Sequence, residues 1–82
     1  MKYLDENEYF STKDMALATT ISYFGYPIED IDKDDPSRSS FIFKRNKKLD
    51  ELVQGFWSNS LKVSPLAFFN SLRSIKTQLY QS

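Results

Sequence analysis

Met15, Leu17, Ala18, Ile21 and Phe24 recur with a period near 3.6 residues, which lays apolar side chains along one face of a helix. Ahead of them Ser11 reads as an N-cap, Asp14 suits the positive end of the helix dipole, and Phe10 and Met15 are spaced as a hydrophobic staple. Gly25 offers the left-handed residue that ends helices and Pro27 bars continuation, so the first helix is placed over about 12–24. The rhythm then changes. Ile28–Lys33 and Ser39–Lys44 flank Asp34-Asp35-Pro36-Ser37, a run of turn-forming residues, and this predicts a hairpin. In its second strand Phe41 and Phe43 share one face, while Ser40, Ile42 and Lys44 take the other.

Asn46 is placed to cap a second helix, in which Leu49, Leu52, Val53, Phe56 and Trp57 sit at i, i+3, i+4, i+7 and i+8. Both aromatics of the Phe56-Trp57 pair are therefore expected in the core. After Asn59, a left-handed stop, Leu61-Lys62-Val63 alternates as a short strand does. Ser64-Pro65 then reads as a cap followed by the residue best tolerated at the first helical position. The third helix is placed over about 65–80, with Phe68, Phe69, Leu72, Ile75 and Leu79 as its core stripe. With Tyr9-Phe10 as an optional edge strand, the fold class is α+β: three helices with a small antiparallel sheet, in the order (β)-α-β-β-α-(β)-α. Without linker, repeat or low-complexity run, residues 1–82 read as a single domain, and the acidic residues 1–8 as a loosely ordered tail.

Size and composition sharpen this picture. Seven Phe, five Tyr and one Trp in 82 residues give a short chain enough large side chains to close a core without disulfides. Cysteine and histidine are both absent, which removes Ser-His-Asp and Cys-His catalysis and thiolate or imidazole zinc sites. The only glycines, Gly25 and Gly55, lie too far apart for a phosphate-cradling loop. Asp30, Asp32 and Asp34 match the first three ligands of a calcium loop, but Asp35 and Phe41 stand where that loop needs glycine and glutamate. The expectation is a chain that is not an enzyme, with no catalytic, cofactor-binding or metal-ligating residue and no cofactor. The enzymatic alternative is a divalent metal on the Asp30–Asp35 cluster. No apolar run approaches the ~20 residues of a membrane span and no signal-peptide core is present, so a cytoplasmic location and no membrane contact are expected.

Phe10-Ser-Thr-x-Asp, the helix ending Phe-Gly-Tyr-Pro, Phe41-x-Phe43, Leu49-x-x-Leu-Val-x-x-Phe-Trp-x-Asn and Val63-x-Pro-x-x-Phe-Phe-x-x-Leu-Arg-x-x-Lys-x-x-Leu-Tyr80 follow one another in order. This succession resembles a family of small bacterial and phage-associated domains of unknown function. The resemblance covers nearly the whole chain and rests on caps, turns and core positions. It implies a free-standing accessory protein of a mobile element or small genome, and it carries over no catalytic residue.

Charge is the one feature that folding does not explain. Residues 1–36 hold three basic and nine acidic side chains, a net of −6, whereas residues 37–82 hold eight basic and two acidic, a net of +6. Lys44, Arg45, Lys47 and Lys48 cluster where the hairpin meets the second helix, and the two lysines stand at a helix start, where the dipole disfavours cations. With Arg73 and Lys76 they form the candidate anion- or partner-binding set, and the alternative reading is a solvated face that guards a strand end. Glu29, Asp30, Asp32, Asp34 and Asp35 form the candidate acidic docking set. The expected function is a small non-enzymatic interaction module or accessory subunit that docks a protein partner, or a second copy of itself, through this polarised surface. The alternative is a nucleic-acid-binding accessory protein that uses the Lys44–Lys48 cluster. No small-molecule substrate is evident.

Overall fold

The computed structural model of the chain describes residues 5–35 and 37–81. Pro36 of the expected turn and residues 1–4 of the expected tail lie outside the described residues. The chain forms three helices and one three-stranded antiparallel sheet: β1 (Tyr9–Thr12), α1 (Met15–Tyr23), β2 (Asp30–Asp32), β3 (Ser40–Lys44), α2 (Lys47–Trp57) and α3 (Pro65–Gln81). The fold is α+β.

β3 lies in the middle of the sheet, with β1 on one side and β2 on the other. β1 and β2 are thus parallel to each other but separated by β3, and α1 crosses between them. Phe10 stands opposite Phe43, and both Thr12 and Ile31 stand opposite Phe41, so these five residues share the face that meets the helices. Phe41 and Phe43 are sealed in the core with Leu17, Ala18, Ile21, Leu49 and Ile75. Ile42 points to the opposite face and is also buried. Residues 5–8 form a turn in which the Asp5 carbonyl accepts from the Glu8 and Tyr9 amides, and the Glu8 carbonyl accepts from the Arg45 amide.

α1 starts later than its sequence suggests. Ser11 belongs to β1, and Asp14 is the N-cap: its Oδ1 accepts from the Ala16 amide at 2.9 Å and the Leu17 amide at 3.1 Å. Strand pairing with β3 claims the backbone of residues 9–12, which the 3.6-residue pattern does not reveal. Thr19 and Thr20 lie buried on α1, and each hydroxyl donates to the carbonyl four residues earlier, so neither polar group is left unpaired. Gly25, at φ 100°, ends the helix, with its amide donating to Ser22 O and the Tyr26 amide to Ile21 O. This pair of bonds around a left-handed residue is the Schellman arrangement.

α2 opens on Asn46, whose Oδ1 accepts from the Leu49 amide at 2.8 Å. It ends on a second Schellman arrangement about Asn59, at φ 56°, with Asn59 N donating to Phe56 O and Ser60 N to Gly55 O. The chain then folds back so closely that a methyl on Gly55 would lie 2.8 Å from Leu61 Cδ2. Leu61–Val63 is consequently not a strand. The residues just before it are tied to the end of α2, which holds the segment against that helix and not along a sheet edge. The Ser64 amide donates to the Tyr23 hydroxyl at 3.0 Å, and the ring of Tyr23 lies 6.2 Å from that of Phe68. α3 therefore starts against the end of α1 and packs along it. At its far end, Lys33 Nζ donates to the Leu79 carbonyl at 2.7 Å, which binds the hairpin to a carbonyl that the helix itself leaves open.

Candidate functional site

The Lys44–Lys48 cluster is not a uniform row of free cations. Arg45 donates through Nε to Asp50 Oδ1 at 2.8 Å, through Nη2 to Asp50 Oδ2 at 3.3 Å and through Nη1 to the Glu6 carbonyl at 2.6 Å. The paired carboxylate raises the guanidinium pKa, and all three bonds hold the arginine to the junction of β3 with α2. Arg45 acts as a structural tie there. Lys44, Lys47 and Lys48 remain exposed, and among the described residues they make no ion pair.

The acidic set is largely engaged in shaping the hairpin. Asp30 Oδ1 accepts from the Ile31 amide, and Asp32 Oδ1 from the Asp34 amide. Asp35 accepts from both the amide and the hydroxyl of Ser37 and from Lys13 Nζ at 3.0 Å. The Ser37 amide, then the Ser37 hydroxyl and then Lys13 favour the ionised form, holding the Asp35 carboxyl well below the usual carboxylate range. Glu29 and Asp34 are the carboxylates of the set without a side-chain hydrogen bond among the described residues. Among those residues no group of three or more acidic side chains is arranged to hold a metal ion.

The two aromatic pairs divide where the sequence reading kept them together. Phe56 packs against the core, but Trp57 is 65% exposed and meets Phe56 edge-on at a ring-centroid distance of 4.9 Å. Phe68 is half-buried, whereas Phe69 is 61% exposed. Consecutive helical residues differ by about 100° around the axis, so a stripe centred on one member of a pair leaves the other at its margin. Trp57 is also the last residue of α2, beyond which nothing continues the packing.

On α3 the apolar residues fall into two stripes. Ile75, fully buried, and Leu79 meet the core, half-buried Phe68 lies against Tyr23, and half-buried Leu72 stands between the two stripes. Leu66, Phe69, Arg73, Lys76 and Tyr80 form the outward stripe, and Leu66 and Tyr80 are 73% and 79% exposed. Phe69, Leu72, Arg73 and Lys76 line a shallow open depression there, an apolar floor bordered by two cations. Neither cation has an ion pair among the described residues, and α3 contains no acidic residue.

Arg73 and Lys76 were singled out by their charge, but Leu66, Phe69 and Tyr80 were not seen as part of the same surface. The signal lay in their spacing, which alternates three and four residues along a line that runs beside the core stripe. Lys44, Lys47 and Lys48 stand on β3 and α2, while α3 has α1 as its main support, so the two cationic groups belong to separate elements.

No described helix is long and apolar enough to cross a membrane. A family model described as "Domain of unknown function (DUF5659)" matches residues 7–81. No curated protein and no solved structure matches the chain.

Proposed function

We propose that this chain, which belongs to the DUF5659 family of domains of unknown function, is a non-enzymatic interaction module that docks a protein partner through the outward face of α3. The observation that carries the reading is the second stripe of that helix. Leu66, Phe69 and Tyr80 expose large apolar side chains in line with Arg73 and Lys76, and the core uses none of them. Exposed apolar side chains gathered on one face mark contact surfaces, and arginine and aromatic residues are the types enriched at interface centres. The polarised charge of the sequence supports the same reading in reduced form. Arg45 and Asp35 serve the fold, leaving the α3 cations as the part of the basic half joined to an apolar surface.

A photo-crosslinking residue placed at Phe69 or Tyr80, in cells that carry the gene, is expected to give a discrete protein adduct. The same residue at Gln54, exposed on α2, is expected to give none. Equal adducts from both positions would remove the reading.

The exposure of Trp57 favours one second reading, a nucleic-acid-binding accessory protein. An accessible indole at the end of α2 and exposed Lys44, Lys47 and Lys48 at or before its start supply an aromatic face and the cations that single-stranded nucleic acid requires. Its signature would be oligonucleotide affinity that falls by about 0.7 log units per phosphate contact for each log unit of salt.

A further inference from the structure

We infer that the outward face of α3 receives an acidic amphipathic helix, whose apolar seam covers Leu66, Phe69 and Tyr80 and whose flanking carboxylates meet Arg73 and Lys76. The inference rests on the reading that this face docks a protein, and it names the kind of element that docks.

Spacing gives the first reason. Residues 66, 69, 73, 76 and 80 alternate three and four apart, a 3.5-residue repeat that keeps a seam facing a helical partner along its length. The seam covers two heptads, about 21 Å at 1.5 Å per residue, enough for several turns of a partner helix. A peptide that binds by strand addition would instead need an open strand edge, which a helix face does not offer.

Charge gives the second reason. Arg73 and Lys76 are the third and fourth of the five seam residues and border the depression over Phe69 and Leu72. No carboxylate on α3 offsets them, and neither has an ion pair among the described residues. Face-to-face pairing of two copies about this seam would set cation against cation, an arrangement that costs affinity. A basic partner is disfavoured for the same reason. A single nucleic-acid strand would find rings in Phe69 and Tyr80 but only two cations here, too few to track a phosphate backbone. An acidic helix satisfies both halves of the surface, with apolar side chains on the seam and Glu or Asp beside it.

The test uses three labelled probes on the full chain: a three-heptad helical peptide with Leu on its seam and Glu on its flanks, the same peptide with Lys for Glu, and a short oligothymidine. Fluorescence anisotropy at low salt is expected to show the Glu peptide binding about tenfold or more tightly than the Lys peptide, with the gap closing at high salt. Arg73→Glu with Lys76→Glu should reverse the preference while far-UV circular dichroism stays unchanged, and Phe69→Ala should weaken the Glu peptide. Equal binding of the two peptides that Phe69→Ala abolishes would overturn the acidic partner yet keep the docking face. A preference that survives the charge reversal would place the acidic site elsewhere. Oligothymidine binding with no peptide binding, or no binding by any probe, would overturn the docking face as well.

Discussion

α1 has nine residues, of which five in succession, Leu17 to Ile21, are buried; α3 has seventeen and buries one, Ile75. The difference follows from position. α1 crosses the sheet between β1 and β2 and supports α2 on one side and α3 on another, so its whole middle turn is enclosed. It carries no charged side chain. α3 touches the body along one stripe only, and beside that stripe Leu66, Phe69, Arg73, Lys76 and Tyr80 face water. Apolar residues on α1 are accounted for by the core, whereas several on α3 are not. α3 is thus where selection for something other than folding can be sought.

The largest expected effect lies at the enclosed helix. Leu17→Ala should destabilise the fold by about 3–5 kcal/mol, the upper range for truncating a fully buried leucine, as measured by chemical denaturation. Ile75→Ala, also fully buried, should approach this loss, while Phe69→Ala should leave the midpoint nearly unchanged. Comparable losses at Phe69 and Leu17 would erase the contrast between the two sides of α3.

A smaller effect is expected where the chain reverses before α3. Gly55→Ala would ordinarily strengthen a helix by about 1 kcal/mol. Here the added methyl meets Leu61 Cδ2 at 2.8 Å, the end of a side chain that can turn aside, so the lower range of the overpacking cost is largely offset by the helix gain and we expect a net loss of no more than about 1 kcal/mol. A gain in stability would show that the reversal yields easily and that α3 is held less firmly than its contacts with Tyr23 imply.

The next prediction concerns the approach to α1. Lys13, next to the Asp14 cap, pairs with Asp35, whose carboxyl lies below its ordinary range because of Ser37 and Lys13. A depressed folded-state pKa contributes stability above the unfolded value, near 3.9, that disappears as pH falls through the folded value. Asp35→Asn should therefore lower the melting temperature slightly near pH 7, with the gap shrinking below about pH 4. Both residues are well exposed, so solvent screening keeps the effect small. A gap that grows on acidification would show that the fold favours the protonated and not the ionised Asp35.

The smallest effect on stability is expected at Trp57. Trp57→Ala should change the unfolding free energy by less than about 0.5 kcal/mol, and its indole should emit as one in contact with water. A strongly blue-shifted emission would place Trp57 back in the core.

Which of these features could be read from residues alone depends on how local their causes are. The Asn46 cap, the left-handed Gly25 and Asn59 and the alternation of Phe41 and Phe43 are set within a few positions of themselves, and all were legible. The start of α1 was not, because Ser11 is drawn into pairing with Ile42, thirty-one positions away. Trp57 and Phe69 were assigned to the core from a stripe drawn too wide. An adjacent aromatic pair on a helix cannot place both rings at the centre of one face. Arg45 was grouped with the cations although Asp50 was in reach as a compensating charge; that the pair is bidentate and is joined by the Glu6 carbonyl, thirty-nine positions away, is what the residues alone did not show. The outward seam of α3 was present in the spacing, but distinguishing two stripes on one helix requires knowing which one the body covers.

The reversal between α2 and α3 has a kinetic consequence. Asn59 fixes the turn, Gly55 lets Leu61 lie close, and Tyr23 holds the amide that precedes Pro65, so α3 leaves the body in a determined direction. At its other end Lys33 clasps the Leu79 carbonyl. A helix anchored at both ends presents its seam already assembled, and an incoming chain has no rearrangement of this protein to await. Encounter then becomes a matter of diffusion and orientation, in the range of about 10⁵–10⁷ M⁻¹ s⁻¹ without steering, and the two cations would raise that rate most in dilute salt.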